Sequence, residues 1–383
     1  MLFVRLTHPI LNGSYIRAKE FWVGRRVVLA MSGGVDSSVA AHLLKQQGYD
    51  VIGLFMRTGV HGDESTHIPA HKKGCCSAVD AGDARRVADR LQIPFYALDF
   101  EEEFGRIIDY FADEYLAGRT PNPCVMCNNW LKFGKLWSYG QELEADYIAT
   151  GHYARVLQRE GLTELHRAVD EDKDQSYVLF GLARTILPRL LFPVGGYTKD
   201  GIRDIARSGG LGIADKPDSV EICFVPDGDH AAMIRRRRPA LATEGYIVDK
   251  EGKRLAEHDG IERFTIGQRK GLRFAAGERR YVLQIVPGEN EVVVGTQEDL
   301  LSDGLIASGV NWLIEPQYNA PLTCSVKIRY RHSAVPAKVV ALPDSGARVE
   351  FARPQSAVTP GQAVVFYDGS RVLGGGWIEK VLD

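Results

Sequence analysis

Hydrophobic and polar positions alternate in two different ways along the chain. In the first half, uninterrupted apolar runs of strand length, such as Val27 to Met31 and Val51 to Met56, precede segments whose apolar residues recur at helical spacing, such as Val39, Leu43 and Leu44. Strands that alternate with helices indicate a parallel sheet with right-handed crossovers. In such sheets a ligand binds beyond the carboxyl ends of the strands.

From about residue 245 the pattern changes to short β-rich runs separated by turn residues, which is typical of small β domains. We therefore predict an α/β chain in which a Rossmann-like parallel-sheet domain is followed by a small mixed domain and a C-terminal β-barrel. The predicted boundaries are 1–25 for an N-terminal extension, 26–222, 223–301 and 302–383. The predicted β runs are Phe264 to Ile266, Tyr281 to Val286, Val292 to Val294, Val326 to Tyr330, Ala337 to Ala341, Arg348 to Phe351, Ala363 to Tyr367 and Gly376 to Val381.

The turn after the first strand carries the sequence Ser-Gly-Gly-Val-Asp-Ser-Ser. Gly33 and Gly34 lack a Cβ, so the backbone can approach a ligand closely. Their N–H groups and the N-terminus of the next helix form a cradle for an anion. Asp36 lies at its mouth and can hold Mg²⁺ on bound phosphates. No Gly-Lys-Ser/Thr follows, so the turn is not a Walker loop.

This turn resembles the pyrophosphatase loop of the adenine-nucleotide α-hydrolase superfamily. The resemblance implies that the chain uses ATP to adenylate an oxygen atom of its substrate, with release of pyrophosphate.

Composition narrows the class of protein. The chain has 383 residues, 45% of them hydrophobic and 25% charged, and a formal net charge of −2. This charge argues against a uniformly basic surface but leaves room for local patches that bind nucleic acid. Six cysteines are too few for a disulfide scaffold in a chain this long and favour a reducing compartment. Since no apolar run reaches transmembrane length, we expect no membrane partner and a cytoplasmic location.

Two cysteine-containing segments are the other candidates for chemistry. Cys124 and Cys127 lie in a loop before a predicted helix over Phe133 to Leu143, and Cys223 follows much later. A thiol near a helix N-terminus and lysines is expected to have a lowered pKa, and the thiolate is the nucleophile. A lone C-x-x-C also suits a redox pair or half of a zinc site, and Cys223 alone also suits a buried apolar thiol.

From about residue 26 to the C-terminus, the chain resembles the bacterial and organellar tRNA-specific 2-thiouridylases. The matching strings are A-M-S-G-G-V-D-S-S, G-C-C-S, D-A-R-R-V-A, T-P-N-P-C-V-M-C-N, K-F-G, A-T-G-H-Y-A, D-K-D-Q-S-Y-V-L, K-P-D-S-V-E-I-C-F-V, G-D-H, F-T-I-G-Q-R-K-G-L, K-I-R-Y-R and P-G-Q-A-V-V-F-Y. The resemblance implies transfer of sulfur to C2 of the wobble uridine in the tRNAs for Lys, Glu and Gln. It also implies ATP and Mg²⁺ as cofactors, and a persulfide that arrives from a sulfur-carrier protein or a cysteine desulfurase.

The same resemblance assigns site residues. Cys127 matches the nucleophile and Cys223 the thiol that carries the persulfide, and a disulfide bond is expected. The implied ATP-binding residues are Ala30, Met31, Ser32, Gly33, Gly34, Val35, Asp36, Ser37, Met56 and Gly151. The implied tRNA-contacting residues are Asn122, Pro123 and Cys124, which would face the target base, and His152, Lys173, Asp174, Gln175, Arg329, Tyr330 and Gln362.

Cys124 departs from the family pattern, because many members have at this position an Asp that is a candidate general base or base-positioning group. Cys124 is therefore a third predicted catalytic residue, whose thiolate would take this role unless another group does. An alternative follows from the third thiol: Cys124, Cys127 and Cys223 could together hold an iron–sulfur cluster. A small-molecule ligase of the same ATP superfamily and an ATP-dependent tRNA-sensing protein are further alternatives. The four arginines 235–238 suit either phosphate contact or a solvated face, and Cys324 suits packing in a barrel strand.

Overall fold

The described part of the computed structural model comprises residues 24–59, 77–218, 222–272, 279–318 and 320–383. The predicted extension therefore lies outside the described residues except for Gly24 and Arg25. The helices are α1 (Val35–Gln46), α2 (Ala78–Leu91), α3 (Glu101–Leu116), α4 (Pro123–Met126), α5 (Leu136–Glu142), α6 (Lys199–Ser208) and α7 (His230–Arg237). The strands are β1 (Arg26–Ala30), β2 (Asp50–Arg57), β3 (Phe95–Asp99), β4 (Tyr147–Thr150), β5 (Ala154–Arg159), β6 (Leu162–Arg167), β7 (Leu190–Leu191), β8 (Gly245–Val248), β9 (Arg254–His258), β10 (Tyr281–Val286), β11 (Glu291–Gly295), β12 (Leu301–Trp312), β13 (Leu322–Lys327), β14 (Val335–Leu342), β15 (Gly346–Ser356), β16 (Ala363–Asp368) and β17 (Arg371–Leu382).

The first sheet confirms the prediction of a parallel α/β domain. Its strand order is β3-β2-β1-β4-β7, and each neighbouring pair is parallel. The order changes direction between β1 and β4, where Ala30 is in register with Thr150. A crevice forms beyond the carboxyl ends at such a switch point. The glycine turn after β1 and Gly151 after β4 therefore lie on the same edge of the sheet.

Both faces of this sheet are buried, which explains the uninterrupted apolar runs in its strands. Val27 and Leu29 pack into one core with α1, α2 and α6. Val28 and Ala30, one position out of phase, pack into the other core with α3 and α5. Since successive side chains of a strand point to opposite faces, an apolar residue is needed at every position.

The helix predicted over Phe133 to Leu143 is confirmed for Leu136–Glu142, but the helical segment begins earlier and in a different form. A π-helix spans Cys127–Lys135 and continues directly into α5. Gly134 favours this geometry, because a Cβ atom there would lie only 2.8 Å from the carbonyl oxygen of Asn129, five residues earlier. π-Helical turns occur often at functional sites, and this one begins at a predicted catalytic cysteine.

The central sheet has the strand order β10-β11-β8-β9, with a parallel pair between β11 and β8. The strand predicted over Phe264 to Ile266 is wrong. Ile261–Arg263 form a 3-10 turn, and Phe264 then packs into the small core of this sheet. Its apolar side chain is therefore buried without strand pairing.

The C-terminal barrel is closed by the pairing of β12 with β17, and its strand order is β12-β15-β14-β13-β16-β17. The hairpin of β5 and β6, which comes from the first half of the chain, joins its sheet through His166 and Arg371. Barrel residues Ala363, Val365 and Tyr367 also belong to the core cluster that contains Val28 and Ala30. The parallel-sheet domain and the barrel therefore share one core.

The predicted strand Val326 to Tyr330 ends early, because β13 stops at Lys327 and the N–H of His332 donates to the carbonyl of Arg329 in a turn. Arg329 and Tyr330 thus lie after the strand rather than within it. In the described part of the chain, no helix combines the length and the apolar character that crossing a membrane requires.

Candidate active site

The glycine turn after β1 is fixed by close packing. Gly33 has a φ of +72°, and a Cβ atom added there would lie 2.1 Å from the carbonyl oxygen of Asp80 in α2. The Lys216 ammonium group donates to the Gly33 carbonyl at 2.9 Å and to Asp80 at 2.7 Å. Only glycine fits this position, since positive φ and the close contact both exclude a side chain.

Two serines brace the start of α1. Ser37 Oγ donates to the carbonyl of Gly34 at 3.2 Å and accepts from the N–H of Ser32 at 3.2 Å. Ser38 Oγ also donates to the Gly34 carbonyl, at 2.9 Å. Both serines are buried. These hydroxyl groups therefore shape the turn in addition to any role toward a phosphate.

The other predicted ATP-binding residues surround this turn. Gly151 packs so closely against α1 that a Cβ atom there would lie 2.6 Å from the backbone nitrogen of Ser37. Met56 is half-buried near the end of β2 and packs against the core below the sheet edge. The structure thus brings the predicted residues together. The remaining members, which are buried in and after β1, are Ala30, Met31 and Val35.

A network of charges at Asp36 was missed from the sequence. Lys199 is only 8% exposed, and its Nζ lies 2.8 Å from Asp36 Oδ1 and 2.8 Å from Asp218 Oδ1. Asp218 also accepts from Lys173 at 2.8 Å and from Arg203 at 3.1 Å. Burial alone would raise the pKa of the Asp218 carboxyl, but the hydrogen bonds from Lys173 and Lys199 lower it. The mouth of the cradle therefore holds three basic side chains, Lys173, Lys199 and Arg203, paired with two carboxylates.

One signal in the sequence points to Lys199. It is the first residue of α6, directly after the capping residue Thr198. A helix N-terminus carries partial positive charge and disfavours a cation. A lysine there requires compensation, which Asp36 and Asp218 provide. Tyr153 completes the contact, because its hydroxyl donates to Asp36 Oδ1 at 2.9 Å, and burial followed by the Asp36 carboxylate raises its pKa.

The first cysteine segment forms the short helix α4 and the start of the π-helix. The Asn122 side chain caps α4 by accepting from the N–H of Val125 at 3.3 Å, and Pro123 occupies the first turn. Proline is favoured at that position because its missing N–H has no partner there anyway. Cys124 is exposed, whereas Cys127 is half-buried at the start of the π-helix.

Cys127 and Cys223 meet the same hydrophobic core. Both are half-buried, and both pack against the core cluster formed under the sheet by α3, the π-helix and the barrel. The two thiols, 96 residues apart in the sequence, thus share one hydrophobic cluster in the folded chain. Cys324 differs, because it is buried in β13 and burial raises the pKa of its thiol to about 12. It therefore stays a neutral packing residue.

Family models cover nearly all of the described chain. The model described as the tRNA methyl transferase HUP domain matches residues 25–227, the corresponding PRC-barrel model matches 233–296, and the aminomethyltransferase β-barrel model matches 302–378. A protein of Rhodopirellula baltica named tRNA-specific 2-thiouridylase MnmA is 50% identical over 94% of this chain and 97% of that protein. The chain belongs to the tRNA-specific 2-thiouridylase family.

Other members of the thiouridylase family are similarly close. The protein of the same name from Geotalea uraniireducens is 51% identical over 94% of this chain and 96% of its own length. The protein of the same name from Carboxydothermus hydrogenoformans is 49% identical over 94% of this chain and 99% of its own length. The likeness thus extends over the parallel-sheet domain, the central domain and the barrel.

Several residues that thiouridylase motifs suggest as tRNA contacts serve internal roles here. Asp174 is buried and accepts from the N–H groups of Ala168 and Ser176, both at 3.1 Å. Gln175 Oε1 accepts from the N–H of Tyr153 at 2.9 Å. These two side chains hold the backbone next to the Asp36 network. Their contact with tRNA stays a prediction.

His152 is similarly enclosed, with 6% of its surface exposed. Its Nδ1 lies 2.7 Å from Thr150 Oγ1, and its Nε2 lies 3.4 Å from Lys132 Nζ. Burial and then the charge of Lys132 lower the pKa of His152 well below its usual value. The ring is therefore neutral near pH 7 and links β4 to the π-helix.

The barrel contributes directly to the cysteine segment. Gln362 Nε2 donates to the carbonyls of Thr120 and Pro121 at 3.0 and 3.1 Å, and the Thr120 N–H donates to the carbonyl of Pro360 at 2.9 Å. Tyr330 is 39% exposed and has the Cys124 thiol among its electrostatic neighbours. The predicted base-facing residues and part of the predicted barrel surface are thus brought together.

Proposed function

We propose that this chain is an ATP-dependent sulfurtransferase that converts the C2 carbonyl of the wobble uridine of tRNA into a thiocarbonyl. One observation carries the proposal. A pyrophosphatase-type glycine turn and two separate thiols, Cys127 and Cys223, border one folded unit in a chain that is about half identical to 2-thiouridylases over nearly its full length. The relatives' name supplies the substrate class, and the thiols supply the chemistry.

The nucleotide step uses the crevice between β1 and β4. The N–H groups of the turn at Gly33 and Gly34 and the N-terminus of α1 receive the phosphates of ATP. Lys199 lies close enough to the turn to add a positive charge once it exchanges Asp36 for a phosphate oxygen. The O2 oxygen of the uridine then attacks the α-phosphorus, the bond to the β-phosphate breaks, and pyrophosphate leaves.

The sulfur step needs both thiols. The terminal sulfur of a persulfide on Cys223 attacks C2 of the adenylated base, and AMP leaves with the former carbonyl oxygen. The Cys127 thiolate then attacks Sγ of Cys223, so that the S–S bond of the persulfide breaks, the thiocarbonyl is released and a disulfide forms between the two cysteines. An external thiol reduces this disulfide before the next turnover.

The descriptions of the family models refer to methyl transfer, but the residues support sulfur transfer. Cys127 and Cys223 pack against the same core, and Cys127 begins the π-helix that also carries Lys132 and Lys135. Transfer of a methyl group would give no role to the pyrophosphatase-type turn.

The residues at the glycine turn fit Mg²⁺. Asp36 presents a carboxylate beside the phosphate cradle, which is a ligand that Mg²⁺ prefers, and the ion would neutralise charge on the phosphates. Among residues that the structure describes, no three His, Cys, Asp or Glu side chains are grouped so that they could hold a metal ion. The grouping of residues therefore gives the three-cysteine cluster no support, and the iron and acid-labile sulfide content of active protein tests this alternative.

The proposed partners follow from the chemistry. The tRNAs for Lys, Glu and Gln are the proposed acceptors, and a persulfide carrier protein or a cysteine desulfurase is the proposed sulfur donor. The cytoplasm is the proposed compartment, because the proposed tRNA substrates are present there. The base must leave the anticodon stack to reach the adenylation site.

The test is mass spectrometry of tRNA nucleosides after incubation with ATP, Mg²⁺ and a persulfide source. We expect 2-thiouridine with the unaltered protein and none with Cys127→Ser or Cys223→Ser. Cys324→Ala is the matched control, because this thiol is buried in the barrel and its replacement should retain activity. An amide ligase would stay active in both serine variants, and a sensing protein would release no pyrophosphate that depends on tRNA and sulfur donor.

A further inference from the structure

A half-buried lysine lies next to the cysteine segment without a salt bridge to any described carboxylate. Lys327 ends β13, and its Nζ lies 5.8 Å from the ring centre of Tyr177 and 5.6 Å from that of Tyr330. Within the described ranges of the chain, it forms no ion pair with a carboxylate. Ring contacts at these distances attract a cation weakly, so its positive charge remains largely uncompensated.

The residues around Lys327 connect it to the predicted base-binding segment. Tyr177 is fully buried, its hydroxyl donates to the carbonyl of Ala363 at 2.8 Å, and it lies within hydrogen-bonding reach of the Asn122 side chain. Tyr330 has Cys124 as an electrostatic neighbour. The ammonium group therefore faces the same corner as the two residues that flank Pro123.

The neighbouring arginine, in contrast, is occupied. Arg329 donates through Nη2 to the carbonyls of Ser356 and Ala357, and it is part of the barrel structure. Among acidic groups, Asp174 has the electrostatic effect on Lys327. Its carboxylate oxygens, however, accept hydrogen bonds from Ala168 and Ser176. Burial lowers the pKa of Lys327, the Asp174 carboxylate partly opposes this, and Arg167 lowers it further. An anion in this corner would relieve the cost of the buried charge.

We propose that Lys327 binds a backbone phosphate of the extruded target nucleotide while Tyr330 packs against its base. The geometry combines, at one corner, a cation that forms no salt bridge with a described carboxylate and a 39%-exposed aromatic ring. Single-stranded RNA is bound by this combination, since the cation neutralises phosphate and the ring stacks on a splayed base. The inference rests on the proposed function, because tRNA supplies the phosphate.

The first test measures tRNA affinity against salt concentration for the unaltered protein and Lys327→Gln. We expect binding to weaken about tenfold at low salt and the log–log salt slope to become shallower by about 0.7 to 0.9, as for one lost phosphate contact. Lys327→Arg should retain the slope. Lys338→Gln is the matched control, because Lys338 is an exposed lysine of the neighbouring strand β14, and its slope should be unchanged.

The second test locates the phosphate and needs no protein variant to begin. Anticodon stem–loop RNAs carry one neutral methylphosphonate linkage at a time near the target uridine. One linkage should weaken binding by the unaltered protein about tenfold and should have no further effect in Lys327→Gln, as expected for two groups that contact each other.

The outcomes are distinguishable. If Lys327→Gln keeps the full salt slope, or every neutral linkage weakens both proteins equally, Lys327 serves only to pack against the tyrosines and the inference is wrong. If no linkage affects the unaltered protein while it still binds and thiolates tRNA, the inference also fails but the proposed function stands. Absence of tRNA binding by the unaltered protein would instead overturn the proposed function.

Discussion

One ammonium group spans both carboxylate oxygens of the residue that opens the phosphate cradle: Lys199 Nζ lies 2.8 Å from Asp36 Oδ1 and 2.9 Å from Asp36 Oδ2. The two residues are 163 positions apart in the sequence. Lys199 also bridges to Asp218, so a single buried cation ties the first helix of the domain to the segment that precedes Cys223. The proposed nucleotide site at the turn and the segment before Cys223 thus share one side chain.

We predict that Lys199→Met raises the KM for ATP at least about tenfold, because a charge-assisted contact to phosphate is lost. It should also destabilise the fold by about 1 to 3 kcal/mol, since Asp36 and Asp218 lose a common partner. Pyrophosphate release and urea unfolding provide the two measurements. Lys380→Met, at an exposed position of β17, is the control and should change neither quantity. An unaltered KM in Lys199→Met would contradict a role in ATP binding.

A pair of adjacent glycines gives a sharper test of the turn. Gly33→Ala should destabilise the fold by about 2 to 4 kcal/mol and abolish ATP binding, because it combines positive φ with a Cβ 2.1 Å from the Asp80 carbonyl. Gly34→Ala should cost less than about 1 kcal/mol, since its φ is −89° and its Cβ would meet only Ser32 Oγ at 3.5 Å. Thermal unfolding and nucleotide-binding calorimetry distinguish them. Equal effects of the two changes would refute the packing argument.

The buried thiol of Cys324 should make stability depend on alkaline pH. Burial raises its pKa from 9.0 to about 12 in the folded protein, so folding favours the protonated form. The contribution of the protonated thiol to the free energy of unfolding is complete below about pH 9. It declines by about 1.4 kcal/mol per pH unit between about pH 9 and about pH 12. Cys324→Ala should therefore lose less unfolding free energy than the unaltered protein between about pH 9 and 11. Identical slopes in denaturant titrations would mean that this thiol does not contribute.

The arginine run is mostly structural. Arg237 forms two 2.8 Å contacts with Asp109, Arg238 pairs with Asp109 and Asp113, and Arg235 pairs with buried Glu262. We predict that Arg237→Gln lowers the unfolding free energy by up to about 1 kcal/mol and leaves the salt dependence of tRNA binding unchanged. Filter binding over a range of salt concentrations measures the latter. A shallower slope would restore the interpretation that this run contacts phosphate.

The sequence was sufficient to predict the fold where burial imposes a simple pattern of apolar residues. Val27 to Ala30 are buried on both sides of the sheet, so the apolar run alone predicted a central parallel strand. It was not sufficient where distant segments compensate one another. Lys199 opposes its own helix dipole and is explained only by Asp36 and Asp218. Likewise, no periodicity shows that β5 and β6 leave their sequence neighbours and join the barrel sheet.

Residue types also did not reveal which members of a motif are occupied internally. Arg329 and Lys327 are both basic residues of one short string, yet Arg329 is engaged by barrel carbonyls and Lys327 faces the tyrosines. The difference depends on where β13 ends, which hydrophobic alternation predicted three residues too late.

The bonds from Gln362 to the Thr120 and Pro121 carbonyls make the barrel more than an RNA-docking appendage. A truncated enzyme without the barrel would lose these supports immediately before Asn122 and Cys124. Any displacement of the turn at Pro360 when RNA docks must also be transmitted to that backbone. We therefore expect RNA docking on the barrel and the placement of the cysteine segment to be mechanically coupled, so that turnover without RNA is slow.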